Sequence, residues 1–383
     1  MAKNGFDIAI IGGGVIGLTL ARALRRDGAD IAVIDAGEAI PAATHAAAGM
    51  LAPSFEYSGE HAAESDDRLK TALYRLGALG LSMWADYAAA LEEETGVFVD
   101  YRGGGALGLA YGASQRDDLS AQAAWVRAHG GAAEMISGDE ARAMEPALSD
   151  DVIAALHAPA DAQVDPRRLT TALRTSLERN AVTQLAARVT GLERNGDAHV
   201  LKLESGKQIQ ASRLVLAGGA VSQLVPKRLV HPVKGEAVAL TVADGVIRRI
   251  VRAPGAYLCP KAEGRLVIGA TEEIGREDLT VEPASIAGLK ANAVRAAAAL
   301  AAAPEIERWA GLRPGTQDGA PIIGADKEGR FLALGHYRNG VLHAPAAADA
   351  LAAQILGRAP NIDLAPFRPE RFGSGRFRAG RDG

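Results

Sequence analysis

The chain holds one cysteine, Cys259, in 383 residues, so no disulfide can form within it. A chain of this length buries a core large enough to fold without cross-links or a structural metal. The missing disulfides weigh toward a reducing, cytoplasmic setting. Metal chemistry lacks its ligands too: the eight histidines fall in no HxxH or HxxxH spacing, and one thiol cannot build a zinc site. Nor is there an excess of positive charge. With 42 Lys and Arg against 46 Asp and Glu, the net charge of −4 argues against a nucleic-acid partner. Late arginines (Arg368, Arg371, Arg376, Arg378, Arg381) are punctuated by glycine and read as a solvated tail. Long apolar runs are missing as well, the best being broken by Gly well short of the ~20 residues that a bilayer requires. The first residues show no apolar core followed by a small-residue cleavage site. These absences leave a soluble protein with no membrane and no metal, working with an organic cofactor or none, and its length predicts two to three domains.

What is present begins with Phe6-Asp7-Ile8-Ala9-Ile10-Ile11, a nearly continuous apolar run suited to a strand covered on both faces. It enters Gly12-Gly13-Gly14-Val15-Ile16-Gly17, followed by apolar residues at helical spacing to about Arg26, then a second strand, Ile31–Ile34, ending on Asp35. The glycine pattern alone is close to noise, since 44 glycines give about 0.6 chance matches in a chain this long. Its context is what specifies a dinucleotide fold: strand, glycine turn, helix, strand, and an acid about 20 residues on. Gly12 permits the tight turn, Gly14 lets backbone approach a pyrophosphate, and Gly17 lets helix and strand pack closely. The helix N-terminus offers free N–H groups and the positive end of its dipole. Asp35 would accept from the adenosine ribose hydroxyls. A purely structural βαβ unit is the plainer alternative, and the motif leaves NAD and FAD open.

Farther on, the spacing predicts helices over 66–95 and around Leu119–Val126, with strands at Val97–Tyr101 and Ala106–Tyr111. Asp165-Pro166 reads as an N-cap and first-turn proline opening a helix through Leu177. Segments at Val182–Val189, His199–Leu203 and Gln208–Ala211, separated by Asn-Gly and Ser-Gly, predict an antiparallel meander. A buried strand from Arg213 then ends in Gly218-Gly219, a return to the sheet typical of two-dinucleotide-binding flavoproteins. Strands are expected at Ala237–Val242, Ile247–Ala253, Ala256–Cys259 and Leu266–Ala270, and an Ala-rich helix at Ile286–Ala302. The strand-rich stretch from 226 to 310 looks like a second domain interrupting the first.

Four segments carry a more specific likeness: Ala46–Leu51, Pro232–Glu236, Trp309–Gly319 and Gly335–Gly340. With them, essentially the whole chain resembles the D-amino-acid oxidase family of flavoproteins, and most of all its glycine-oxidising, thiamine-pathway members. The resemblance implies an α/β fold: a Rossmann-like FAD-binding domain (1–85, 150–225 and 311–383) with an interleaved antiparallel-sheet, α+β substrate domain (86–149 and 226–310). It implies non-covalent FAD, a small amino acid substrate such as glycine, and molecular oxygen. Hydride transfer to flavin N5 would yield an α-keto acid (glyoxylate from glycine), ammonia and hydrogen peroxide. A homotetramer is implied in the same way.

Carried over position by position, Val15, Ile16, Asp35, Ala36, Ala43, Thr44, Ala48, Gly49 and Met50 fall where the family lines FAD. Val189 matches the position whose backbone meets adenine. His336, Tyr337, Arg338, Asn339, Gly340, Val341 and Leu342 match the loop and helix start against the isoalloxazine. Arg313 matches the arginine that pairs with the substrate carboxylate, Tyr257 the tyrosine bonded to the same group, and Arg338 a second arginine of the active site. An arginine fork suits that task because it grips a carboxylate in a fixed plane and so orients the α-carbon. Read without the resemblance, Arg313 in Leu-Arg-Pro-Gly is a turn residue and Tyr257 a strand tyrosine. Lys234 and Glu236 read as an ion pair at a strand start. A helix beginning near Pro345 would aim its N-terminus at the flavin edge. Two positions depart from the family pattern: Gly255, where His is expected, and Glu272, where Met is expected. A carboxylate at 272 in the pocket would repel a substrate carboxylate or bind an amine.

Overall fold

The computed structural model describes residues 5–37, 43–56 and 67–373. Arg376, Arg378 and Arg381 lie outside them. Within them, Arg371 is no solvated tail residue: it grips Asp318 at 2.7 Å and stacks on Phe372.

Two large sheets organise the chain. In the first, five strands run parallel in the order Thr183–Ala186, Ile31–Asp35, Gly5–Ile11, Gln208–Leu216, Phe331–Leu334, with Ile322–Ala325 added antiparallel at the end. Counted along the chain, the parallel strands lie 3-2-1-4-5, the doubly wound arrangement. Ile8 lies opposite Ile31 on one side and Arg213 on the other. Both flanks of the central strand are therefore paired, and Ile8, Ala9 and Ile10 are fully buried, as their unbroken apolar run requires.

The second sheet contains the strands Glu134–Ser137, Ala154–Ala158, Ala106–Ala110, Ile250–Ala253, Ala256–Pro260, Arg265–Gly269, His231–Thr241 and Glu273–Ile274. Glu305–Gly315 pairs along the other flank of His231–Thr241. All its pairings are antiparallel except that of Ile250–Arg252 with Ala106–Gly108.

A buried helix, Gly340–Ile355, lies under the first sheet between the helices Val15–Arg26 and Asp67–Thr95. It is apolar nearly all round, as a helix covered on every side must be. A Cβ at Gly80 would overlap the carbonyl oxygen of Leu342, so the helices touch backbone to backbone, and the Trp84 indole donates to the same oxygen at 3.2 Å.

Several elements differ from expectation. Val97–Tyr101 is not a strand: Asp100 takes a positive φ of 55°, and Val99 N–H donates to the Glu92 carboxylate rather than to a ladder. Gln208–Ala211 and the strand after it are one strand, flanked by the meander at its start and by Phe331–Leu334 at its end. Thr183–Ala186 belongs to the parallel sheet, and the meander begins at Val189. Ile250 rather than Ile247 opens its strand, because Arg248 N–H is taken by Glu145. The Ala-rich helix spans Pro283–Ala296, where Ala297 leaves helical geometry before a 3-10 turn. The last helix begins at Gly340, with Pro345 inside it. Lys234 and Glu236 do pair, at 3.0 Å, but mid-strand and fully buried.

Candidate active site

The glycine turn sits at the switch point of the parallel sheet, where strand order reverses and a crevice opens at the strands' carboxyl ends. Gly12 has φ 120°, and a Cβ there would overlap the carbonyl of Ala217, just past the end of the neighbouring strand. One at Gly17 would overlap the carbonyl of Gly12, so strand, turn and helix meet without side chains between them. The helix from Val15 has no side-chain cap from Gly14 and no acid in its first turn. Among the described residues, Val15 N–H is the one first-turn amide engaged from outside, by the Thr44 hydroxyl at 3.0 Å. Asp35 accepts from Gly13 N–H at 2.6 Å and Gly37 N–H at 3.0 Å, which fixes its carboxylate at the rim.

Gly12, Gly14, Val15, Asp35 and Thr44 line one cleft of about 1470 Å³, counted to its open mouth. Of the positions expected to hold a cofactor, Gly12, Gly14, Val15, Ile16, Asp35, Ala36, Ala43, Thr44, Val189, His336, Tyr337, Arg338, Gly340 and Val341 line it. Gly17, Ala48, Gly49, Met50, Asn339 and Leu342 do not. Gly49, at φ 76°, packs beneath against Val164 and Pro166, Met50 pairs with Gln163, and the Ala48 carbonyl faces the Cys259 thiol. The loop Gly218–Leu224 and Arg188 also line the cleft. Sequence reasoning missed them, although Gly218-Gly219 at a strand end was the signal.

At the other end stands His336, buried, its Nδ1 3.4 Å from Nδ1 of His343. Its Nε2 has no hydrogen-bond partner among the described residues. Burial pushes its pKa down to about 3, so the ring is neutral and offers one donor or acceptor to whatever fills the cleft. A turn without side chains at a free helix N-terminus, an acid at the rim and an orphaned imidazole fit a dinucleotide carrying a ring system.

Beyond His336 lies a charged cluster, built on strands of the second sheet and on the turn Tyr337–Asn339. Arg313, at the end of Glu305–Gly315, donates to the carbonyls of Thr271 at 3.1 Å and Lys234 at 3.4 Å, and pairs with no carboxylate among the described residues. Tyr257 stands on Ala256–Pro260 with its hydroxyl over Gly269, where a Cβ would overlap it. Burial pushes its phenol up to about 12, against the opposing field of Arg313. Arg338 lies between Glu56 (3.2 Å) and Glu272 (3.4 Å). Glu56 also pairs with Arg252 at 2.7 Å, and Tyr337 donates to Glu272 at 2.5 Å. Sequence reasoning missed Glu56 and Arg252, which no motif marks. Behind them Ser54 donates to Asp161 at 2.8 Å, and burial raises that carboxyl to about 8.

The two departures from the family pattern resolve differently. Gly255, exposed at φ 79°, follows Pro254 in the two-residue turn between Ala253 and Ala256, as a type II turn requires. Glu272 does reach the cluster, but spends its charge on Arg338.

A dinucleotide cleft at the switch point, opening onto a half-buried group of arginines, defines a nucleotide-dependent enzyme of the flavoprotein type. The family model described as "FAD dependent oxidoreductase" (DAO) matches residues 7–354, and the chain belongs to that family. It is an FAD-dependent oxidoreductase. It is 32% identical to glycine oxidase of Pseudomonas aeruginosa over 371 residues, covering 94% of this chain and 98% of that one. The crystal structure of glycine oxidase from Geobacillus kaustophilus superposes with a TM-score of 0.87 at 30% identity, covering 96% and 98% of the two chains. That of iminodiacetate oxidase from Chelativorans sp. gives 0.83 at 26%, covering 94% and 98%. Among the described residues, no helix is long and apolar enough to cross a membrane, and no group of His, Cys, Asp or Glu could hold a metal ion.

Proposed function

We propose that the protein oxidises a small amino acid, glycine or a similarly small amine. The product is an imine that hydrolyses to an α-keto acid (glyoxylate from glycine) and ammonia, while molecular oxygen becomes hydrogen peroxide. The observation that carries the reading is Arg313: a guanidinium beside the cleft whose partners among the described residues are carbonyls, ready to take one carboxylate as a bidentate pair. The name shared by the relatives from P. aeruginosa and G. kaustophilus supports glycine.

In this reading FAD, held non-covalently, would supply the two-electron acceptor for the substrate's hydride, with molecular oxygen as the final oxidant. The first-turn amides after Gly14 would hold its pyrophosphate, Asp35 its ribose and Val189 its adenine. The segment His336–Leu342 would lie along its ring, with the His336 Nε2 as a fixed polar contact. Arg313 clamps the substrate carboxylate in a fixed plane. Tyr257 keeps its proton at every working pH and donates it in a hydrogen bond to the same group. Two anchors on one carboxylate leave the α-carbon little freedom, and that orientation is most of what the protein contributes to a hydride transfer. An amine that binds neutral needs no general base.

The test is the visible spectrum of the holoenzyme under nitrogen, before and after glycine. Flavin bands that bleach with glycine, and peroxide formed once air is admitted, support the reading. Bleaching by a D-amino or secondary amino acid but not by glycine keeps the reaction and moves the substrate. Flavin that no amino acid bleaches overturns it.

A further inference from the structure

The charged cluster contains three guanidinium groups and two carboxylates, and their pairing is uneven. Glu56 bridges Arg252 at 2.7 Å and Arg338 at 3.2 Å, and Glu272 faces the other terminal nitrogen of Arg338 at 3.4 Å. Arg252 and Arg338 are thereby offset, and of the three Arg313 alone has no carboxylate partner among the described residues. We propose that Glu272 reserves Arg338 and so confines the enzyme to amino acids carrying a single carboxylate. The proposal rests on the function read above, and adds which class of substrate that site refuses.

A carboxylate on Arg313 completes the neutralisation of the cluster. A second carboxylate on the same small molecule finds Arg338 already flanked on both terminal nitrogens. To reach it, the newcomer must displace Glu272 and sit beside Glu56, a like-charge contact that discriminates by repulsion. Glu272 is the displaceable partner of the two: its side chain is 27% exposed, that of Glu56 only 8%. Tyr337 resists that displacement, its hydroxyl holding Glu272 at 2.5 Å. Thr271 and Glu272 thus divide the work between neighbours, one holding Arg313 by its carbonyl and the other holding Arg338 by its carboxylate.

The experiment is a titration of the holoenzyme under nitrogen at pH 8 with acetate and with malonate, read as perturbation of the flavin bands. Wild type should bind malonate at least about tenfold more weakly than acetate, and Glu272→Gln should lower that ratio by about tenfold or more. Glu272→Asp, which keeps the charge, should stay near wild type. Tyr337→Phe, which loosens Glu272 without removing it, should fall between. A malonate-to-acetate ratio within about twofold of wild type in Glu272→Gln, with acetate binding intact and dependent on Arg313, overturns this inference alone. Acetate that leaves the wild-type spectrum unmoved overturns the functional reading, and the inference with it.

Discussion

The Arg313 guanidinium lies against Gly235, so closely that a Cβ on that glycine would overlap its Cζ and both terminal nitrogens. The two are diagonal neighbours in the ladder between His231–Thr241 and Glu305–Gly315, where Val233 faces Arg313 and Gly235 faces Gly311. The glycine gives the arginine a floor, and the carbonyls of Lys234 and Thr271 fix its edge.

Gly235→Ala should therefore disturb the clamp without touching the cofactor cleft, which Gly235 does not line. The expected outcome is a KM for the amino acid raised by about tenfold, with FAD content unchanged, since a one-methyl overlap costs about 1–3 kcal/mol and is relieved by moving the arginine. Steady-state kinetics beside a flavin-to-protein absorbance ratio check it. Loss of FAD with unchanged KM would contradict the geometry.

Arg313→Met removes the charge and keeps much of the volume. Losing a bidentate partner for a carboxylate should lower kcat/KM by about 100-fold or more. The flavin spectrum of the resting protein should persist, because the cofactor cleft is lined by Leu312 and Pro314 on either side of Arg313 rather than by Arg313 itself. Stopped-flow reduction at saturating and limiting substrate separates lost binding from lost chemistry.

How much of this was legible beforehand differs from end to end of the cleft. Gly12, Gly14, Gly17 and Asp35 announce themselves because their chemistry is local: turn, amides and acid come from one short stretch of chain. The Asp165 cap was legible for the same reason, its carboxylate accepting from Arg167 and Arg168 N–H just ahead. Ser137 and Glu140, a complete capping box, went unread although the signal was present. The charged cluster is another matter. Arg313, Tyr257 and Arg338 came only through likeness to a family. Glu56 and Arg252 stand 196 residues apart, and nothing in either neighbourhood says they will pair. Glu272 was visible as an oddity, but its consequence depends on Arg338 and Tyr337 arriving from a distant loop.

Asp161 should leave a mark on stability against pH. Burial holds its proton up to about pH 8, whereas an unfolded Asp loses it near 3.8. Between those values the folded state carries a proton the unfolded state does not. Its contribution is therefore fully present below the unfolded pKa and declines as pH rises, until it is lost through about 8. The slope from this one group is about 1.4 kcal/mol per pH unit. Asp161→Asn, which keeps the neutral shape facing Ser54, should lack that slope. Denaturant unfolding of both proteins from pH 5 to 8 checks it: the stability difference should shift steadily in favour of the variant as pH rises. Parallel curves would show that Asp161 ionises alike in both states.

The contact between Gly80 and Leu342 links a helix that does not line the cleft to one whose start does. A methyl at Gly80 has no flexible neighbour to push aside, because what it meets is the backbone oxygen of Leu342. The strain must move the start of Gly340–Ile355, and there Gly340 and Val341 line the cleft at its His336 end. Gly80→Ala should therefore lose about 1–3 kcal/mol of stability through overpacking, despite the better helix propensity of Ala. It should also weaken FAD binding, a consequence that a change in the interior of Asp67–Thr95 would not otherwise have. Tryptophan fluorescence offers a direct readout, since Trp84 donates to the same carbonyl and must move with it. Reconstitution of the apoprotein with FAD at rising concentration gives the affinity. A variant that loses stability yet binds FAD as tightly as wild type would show that the helix start is fixed by the glycine turn and Thr44 side of the cleft instead of by this crossing.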